Sequence, residues 1–157
     1  MSYRVQLYDA FSGIMPPERN AIIRLIQEHS ESVQGEQISE ALDYALKNKP
    51  SFGGFIFTTW NNDQLISCVV VNKTGMGAYN PSYVLVYAVL HPAYREEETV
   101  LQELVSRSIM HAKGEIALHL PAGSPGIDLF KKMGFQEQYI ELRLNHGAHS
   151  TPRAMTG

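Results

Sequence analysis

Apolar residues recur along this chain with two different periods, and the switches between them divide it into elements. The opening Tyr3-Arg4-Val5-Gln6-Leu7-Tyr8 alternates with period two, which predicts a short strand ending near Phe11-Ser12-Gly13. Pro16-Pro17 then prepares a helix start; over 18–30 the isoleucines Ile22, Ile23 and Ile26 lie at helical spacing. After Gly35, Ile38, Leu42, Ala45 and Leu46 repeat that spacing until Pro50 stops it. Phe55-Ile56-Phe57-Thr58-Thr59-Trp60 is β-branched and aromatic, Asn61-Asn62-Asp63 is turn chemistry, and 65–71 is strand-like again, so a hairpin is expected. A loop through Gly75 and Gly77 leads to a third β run, 82–90, ended by Pro92. Connections this short exclude helical crossovers, so these three strands should form an antiparallel meander. Over 97–113, Val100, Leu101, Leu104, Val105, Ile109 and Ala112 mark one face of a helix, with Gly114 as its expected C-terminal cap. A strand over 115–120 follows that helix and can return parallel to the preceding strand, giving one βαβ unit. A short helix at 127–132, a turn at Met133-Gly134-Phe135 and a last strand over 139–144 complete the expected order. Residues 145–157 are polar, small and unpatterned, and read as a frayed tail behind a single domain over 1–144.

Composition narrows the classes without selecting one. A chain of 157 residues suits one domain, and 44% hydrophobic with 18% charged residues excludes disordered, collagen-like and coiled-coil readings. The net charge of −3, with no basic cluster or aromatic-plus-basic stripe, gives nucleic acid no electrostatic footprint. No segment approaches 18 continuous apolar residues and no secretory leader is visible at the N-terminus, so a membrane is not expected and the cytoplasm is the default address. The single cysteine, Cys68, lies inside an apolar run and reads as a small buried thiol rather than a nucleophile. The histidines show no metal-ligand spacing, and no Walker loop, dinucleotide fingerprint or nucleophile elbow is present; no metal is expected.

The element order, together with two local sequences, resembles the GNAT N-acetyltransferases. Tyr87-Ala88-Val89-Leu90-His91-Pro92-Ala93-Tyr94-Arg95 is similar to that family's strand ending V-x-P-x-x-R, and Leu129-Phe130-Lys131-Lys132-Met133-Gly134-Phe135 is similar to its L-Y-x-K-x-G-F segment. The resemblance, to a bacterial subgroup, covers most of residues 54–144. It implies an α/β (α+β) fold with a mixed, mainly antiparallel sheet, helices on both faces and one parallel βαβ unit where two strands splay. It also implies acetyl-CoA as co-substrate and a small-molecule or peptide amine as acceptor, with a homodimer left open.

By the same resemblance the cofactor would be held by main chain around Val89 and Leu90, by the turn Arg95, Glu97, Glu98, Thr99 and Val100, and by Ser124 and Phe130. Orphan amides and the dipole at a helix start make an anion site in general terms. The family's R-x-x-G-x-G/A turn has small residues where this chain carries Glu98 and Val100, and its proton-donating tyrosine is replaced by Phe130. A carboxylate about 4 Å from a phosphate costs roughly 1 to 4 kcal/mol, against about 8 kcal/mol for micromolar binding. Those departures keep a second reading open, a degenerate binding or regulatory module without catalysis. For catalysis, period-two alternation places Tyr83, Leu85, Tyr87 and Val89 on one face of their strand, so Tyr83 and Tyr87 would share a cleft. His119 and His91, at or near strand ends, are the further candidates.

Overall fold

The computed structural model describes residues 2–29, 34–78, 80–120, 123–124 and 126–146. Its order is β1 (Arg4–Tyr8), α1 (Pro16–His29), α2 (Gly35–Leu46), β2 (Gly54–Asn61), β3 (Gln64–Lys73), β4 (Tyr83–Leu90), a single 3-10 turn (Pro92–Tyr94), α3 (Glu98–His111), β5 (Ile116–Leu118) and α4 (Ile127–Lys132). The five strands stand side by side in chain order. β1 to β4 are antiparallel and β4 with β5 is parallel, as the helical crossover demands.

β2 and β3 are buried along almost their whole length, which explains why their sequence is apolar at nearly every position rather than at every second one. Their side chains feed two separate cores. Ile56, Trp60, Cys68 and Val70 meet α1 and α2 through Ile22, Ile26, Ile38 and Leu42. Phe55, Phe57, Val69 and Val71 meet α3 and α4 through Leu101, Leu104, Val105, Leu129 and Phe130 on the other face. Helices therefore cover both faces, as expected. Arg19 ties α1 to α2 with an ion pair to Asp43 at 3.0 Å and a hydrogen bond to the Ser39 hydroxyl at 2.6 Å.

Two expectations about local structure fail. Gly114 is not a helix cap: Ala112 ends α3 in extended conformation, and Gly114 is instead pressed against Ser82, whose Cβ and Oγ would lie 3.0 and 2.8 Å from any added Cβ. Residues 139–144 form no strand and join no ladder among the described residues, so the expected last strand is not part of the sheet. The frayed-tail expectation falls, apart from Asn145 and His146, outside the described residues; those two are exposed.

Candidate active site

The site is prepared by an irregularity in β4. Val70 pairs with Tyr87 and Val71 with Leu85, so Val86 is an extra residue bulging out of the β3–β4 ladder. The bulge moves every later side chain to the other phase. Tyr83 packs with the α3 core, whereas Tyr87 and Val89 pack with the α1–α2 core. The expected common face for Tyr83, Leu85, Tyr87 and Val89 is therefore wrong, and the two phenols lie on opposite sides of the sheet. Tyr83 also stands at the end of β4 that is closed by β5.

The partnership with β5 stops one residue before the bulge. β5 pairs with Tyr83, Val84 and Leu85 only, while β4 continues beside β3 as far as Leu90. From Val86 onward the strands part, and among the described residues nothing pairs with that edge of β4. Which backbone groups face it follows from two hydrogen bonds. The His91 amide donates to the Ile66 carbonyl at 2.7 Å, and the Val89 carbonyl accepts from the Ser67 hydroxyl at 3.0 Å, so the polar groups of Val89 and His91 point to β3. By alternation those of Ala88 and Leu90 face the gap.

The gap runs toward the start of α3. Pro92 opens the 3-10 turn, Glu97 donates its amide to the Tyr94 carbonyl, and Val100 donates to the Glu97 carbonyl. The amides of Glu98 and Thr99 have no partner among the described residues, as the first turn of any helix requires. The side chains crowding this turn are placed more favourably than their identities suggest. Val100 is buried and lines a cavity of about 350 Å³ together with Tyr3, Val5, Thr59, Glu103 and Arg107. The Glu97 carboxylate is engaged by the Tyr3 hydroxyl, which donates to it at 2.8 Å and whose phenol is thereby raised above its ordinary pKa. Arg95, Glu96, Glu98 and Thr99 are exposed.

The remaining candidates separate into positioning, packing and surface groups. Phe130 is buried against Phe135, with ring centroids 5.5 Å apart, and is a core residue. Ser124 accepts at its hydroxyl from the Gly126 amide at 3.4 Å and at its carbonyl from the Ile127 amide at 3.2 Å, starting α4. His119 is exposed beyond β5, 3.6 Å from Glu141, and nothing brings it together with Tyr83 or Tyr87. Tyr87 is half-buried just past the bulge, and its desolvation raises the phenol pKa, so it stays protonated through the neutral range. His91 accepts from the Ala93 amide at Nδ1, 3.1 Å, which leaves the proton of the neutral ring on Nε2. That nitrogen is thus taken up in capping the 3-10 turn. Cys68 is completely buried, its thiol pushed far up by desolvation, as the inert reading required.

Sequence reasoning missed a cleft of about 680 Å³ between α1 and the β2–β3 hairpin, on the same side of the sheet as Tyr87. Arg24, Glu28, Asp63 and His91 are among its lining. No alternation or motif marks it, because it joins an exposed helix flank to a turn. Among the described residues no cluster of His, Cys, Asp and Glu is arranged for a metal, and no helix is long and apolar enough to cross a membrane.

No family model matches the chain, and no curated protein matches it in sequence. Solved structures do match it in shape. A transcriptional regulator from Bacillus halodurans is similar at 16% identity and TM-score 0.64, covering 90% of this chain and 99% of its own. A GNAT-family acetyltransferase from Streptococcus pneumoniae gives 13% identity and TM-score 0.63, covering 93% and 100%. An aminoglycoside N-acetyltransferase solved with CoA gives 12% identity and TM-score 0.63, covering 93% and 96%.

Proposed function

We propose that this chain, which has the GNAT acetyltransferase fold, is an acetyl-CoA-dependent N-acetyltransferase for a small-molecule or peptide amine. The observation carrying the reading is the parting of β4 from β5 at Val86, because it leaves an unpaired strand edge leading straight to unbonded amides at the start of α3. An elongated ligand with amides along its arm and phosphates at its end matches that sequence of groups. When bound, acetyl-CoA supplies a thioester-activated acetyl group.

The chain's own residues then have distinct tasks. The main-chain groups of Ala88 and Leu90 orient the arm as a further strand would, and an N–H on that edge polarises the carbonyl under attack. The amides of Glu98 and Thr99 and the α3 dipole receive the phosphates, and Arg95 adds a cation beside them. Ser124 and Phe130 shape the opposite wall, Ser124 by starting α4 and Phe130 by filling the core behind it. Tyr87 is the candidate proton donor to the departing thiolate, since burial keeps its hydroxyl protonated. The amine enters through the cleft beside α1, where the carboxylates of Glu28 and Asp63 favour a cationic acceptor and the chain runs from His91 back into the open edge at Leu90.

A thermal shift with acetyl-CoA tests binding first. At 100 times its dissociation constant the ligand should add about 2.7 kcal/mol, or roughly 5 to 10 °C in a domain of this size. No shift at millimolar acetyl-CoA sinks the reading. Thiol release against a panel of amines then tests turnover. The second reading, a binding or regulatory module of the same fold, is favoured by one observation: the hydroxyl expected on α4 is absent, and Phe130 is sealed into the core in its place. Binding without thiol release from any amine would select it.

A further inference from the structure

Thr58, Thr59, Ser67 and Ser108 are the buried polar residues among those described, and a buried hydroxyl costs stability unless it is bonded. Ser108 donates to the Leu104 carbonyl one turn back in its own helix, and Thr58 accepts from the Trp60 indole two residues along its own strand. Thr59 borders the cavity beside Tyr3 and Val100. Ser67 reaches further. Fully buried in β3 between Ile66 and Cys68, it donates across to the backbone of β4, to the Val89 carbonyl at 3.0 Å. Packing alone does not call for a hydroxyl here. Val69 and Val71, the next residues on the same side of β3, fill the α3 core with methyl groups.

The carbonyl it grips belongs to the peptide unit that ends β4. A trans peptide sends its C=O and its N–H in opposite directions, so a Val89 carbonyl held toward β3 aims the Leu90 N–H into the gap left by β5. This unit is anchored on one flank only. β5 pairs with Tyr83, Val84 and Leu85, and Pro92 opens a new turn two residues past Leu90. On the β3 flank, Val89 stands opposite Cys68, and the bond from the His91 amide to the Ile66 carbonyl sets the ladder so that Cys68 and Val89 face each other with their polar groups. A carbonyl oxygen has two lone pairs. The Cys68 amide takes one and the Ser67 hydroxyl the other. Two donors on one carbonyl draw electron density out of the whole amide and make its N–H a stronger donor, by about 10 to 30% for one added bond.

We propose that Ser67 is a positioning residue for acetyl transfer: its hydroxyl holds and polarises the Val89–Leu90 peptide, so that the Leu90 N–H donates to the thioester oxygen as negative charge gathers there. This role rests on the acetyltransferase reading, but its test needs no acceptor amine. Infrared difference spectra of acetyl-CoA isotopically labelled at the thioester carbonyl should show that stretch at lower frequency when bound than when free. At equal saturation, Ser67→Ala should lose at least about 10 to 30% of the displacement, the share of one cooperative bond, with acetyl-CoA affinity little changed by calorimetry. Ser67→Thr, which keeps the hydroxyl, should retain the wild-type displacement. Ser67→Cys keeps the volume but donates weakly, and should fall short as alanine does; a Ser67 that merely filled space would leave the cysteine variant like the wild type. That result, a bound carbonyl undisplaced in the wild type, or equal displacement in wild type and Ser67→Ala overturns the proposal while acetyl-CoA binding stands. A wild type that binds no acetyl-CoA sinks the acetyltransferase reading itself, and the role of Ser67 with it.

Discussion

The carboxylate of Glu98 stands exposed on the first turn of α3, beside amides that the proposed ligand would occupy. As a helix-start residue it complements the dipole, so the free protein gains from it what a phosphate would lose. Because it is exposed, solvent screens the repulsion well below the low-dielectric limit. Glu98→Gln is therefore expected to tighten acetyl-CoA by about 2- to 10-fold, the difference shrinking as salt rises. Calorimetric titration at two salt concentrations measures it, and an unchanged affinity would remove Glu98 from the phosphate site. For Tyr87 the expectation concerns rate. Loss of a general acid commonly costs about 10² or more, so Tyr87→Phe should lower kcat by that order with little change in KM. Tyr8 supplies a prediction independent of function. Its hydroxyl donates to Glu18 at 2.7 Å, and burial with that bond raises the phenol far above its ordinary 10.0. The native state then holds a proton that the unfolded chain releases above pH 10, so this contribution is full below that pH and lost as pH climbs toward the folded value. Tyr8→Phe should cost about 1 to 2 kcal/mol near neutrality and flatten the alkaline decline; a decline as steep as the wild type's would refute the assignment.

Among the elements, those whose sequence alternates or repeats were legible, and those whose placement depends on phase or on a neighbour were not. The short helix at Ile127–Lys132 and the parallel return of β5 both emerge from spacing and connection length. The bulge does not. The run Tyr83-Val84-Leu85-Val86-Tyr87-Ala88-Val89-Leu90 has no polar residue to register the phase change, so counting by two through Val86 put Tyr87 on the wrong side. The turn after β4 was located through Arg95, but its accommodation of Val100 and Glu97 involves residues some ninety positions earlier, Tyr3 just before β1 and Val5 on it, which no local pattern reveals. The last strand failed for a different reason: alternation states which face seeks burial and says nothing of where the cover comes from. Close packing gives an element-scale prediction at Gly54, which opens β2. A Cβ there would collide with the Val71 carbonyl oxygen and crowd Asn72 Cα across the hairpin. Since the obstacle is backbone in a ladder buried on both faces, Gly54→Ala should cost about 2 to 4 kcal/mol, seen as a lower urea midpoint. A loss under 0.5 kcal/mol would show the β2–β3 ladder to be more compliant than its burial implies.

At the scale of the whole molecule the sheet is a partition. Ile26 lies in the core toward α1 and α2, and Leu104 in the core toward α3, each fully buried, with β2 and β3 between them. With the sheet between them, the two side chains belong to separate clusters and share no packing partner there. Ile26→Val should cost about 0.5 to 1.5 kcal/mol and Leu104→Ala about 2 to 5 kcal/mol. Separated sites without shared partners add to within about 0.5 kcal/mol, so the double variant should lose the sum in urea unfolding with an unchanged denaturant slope. The strand bonds could still transmit strain, because Phe55 and Ile56 are neighbours on one strand that project into opposite cores. A coupling above 1 kcal/mol would mean that the partition bends as one body. The proposed function would then change character, since the parting of β4 from β5 would respond to packing on the acceptor side of the sheet, and amine binding and cofactor binding would be linked through the core rather than only through the reacting atoms.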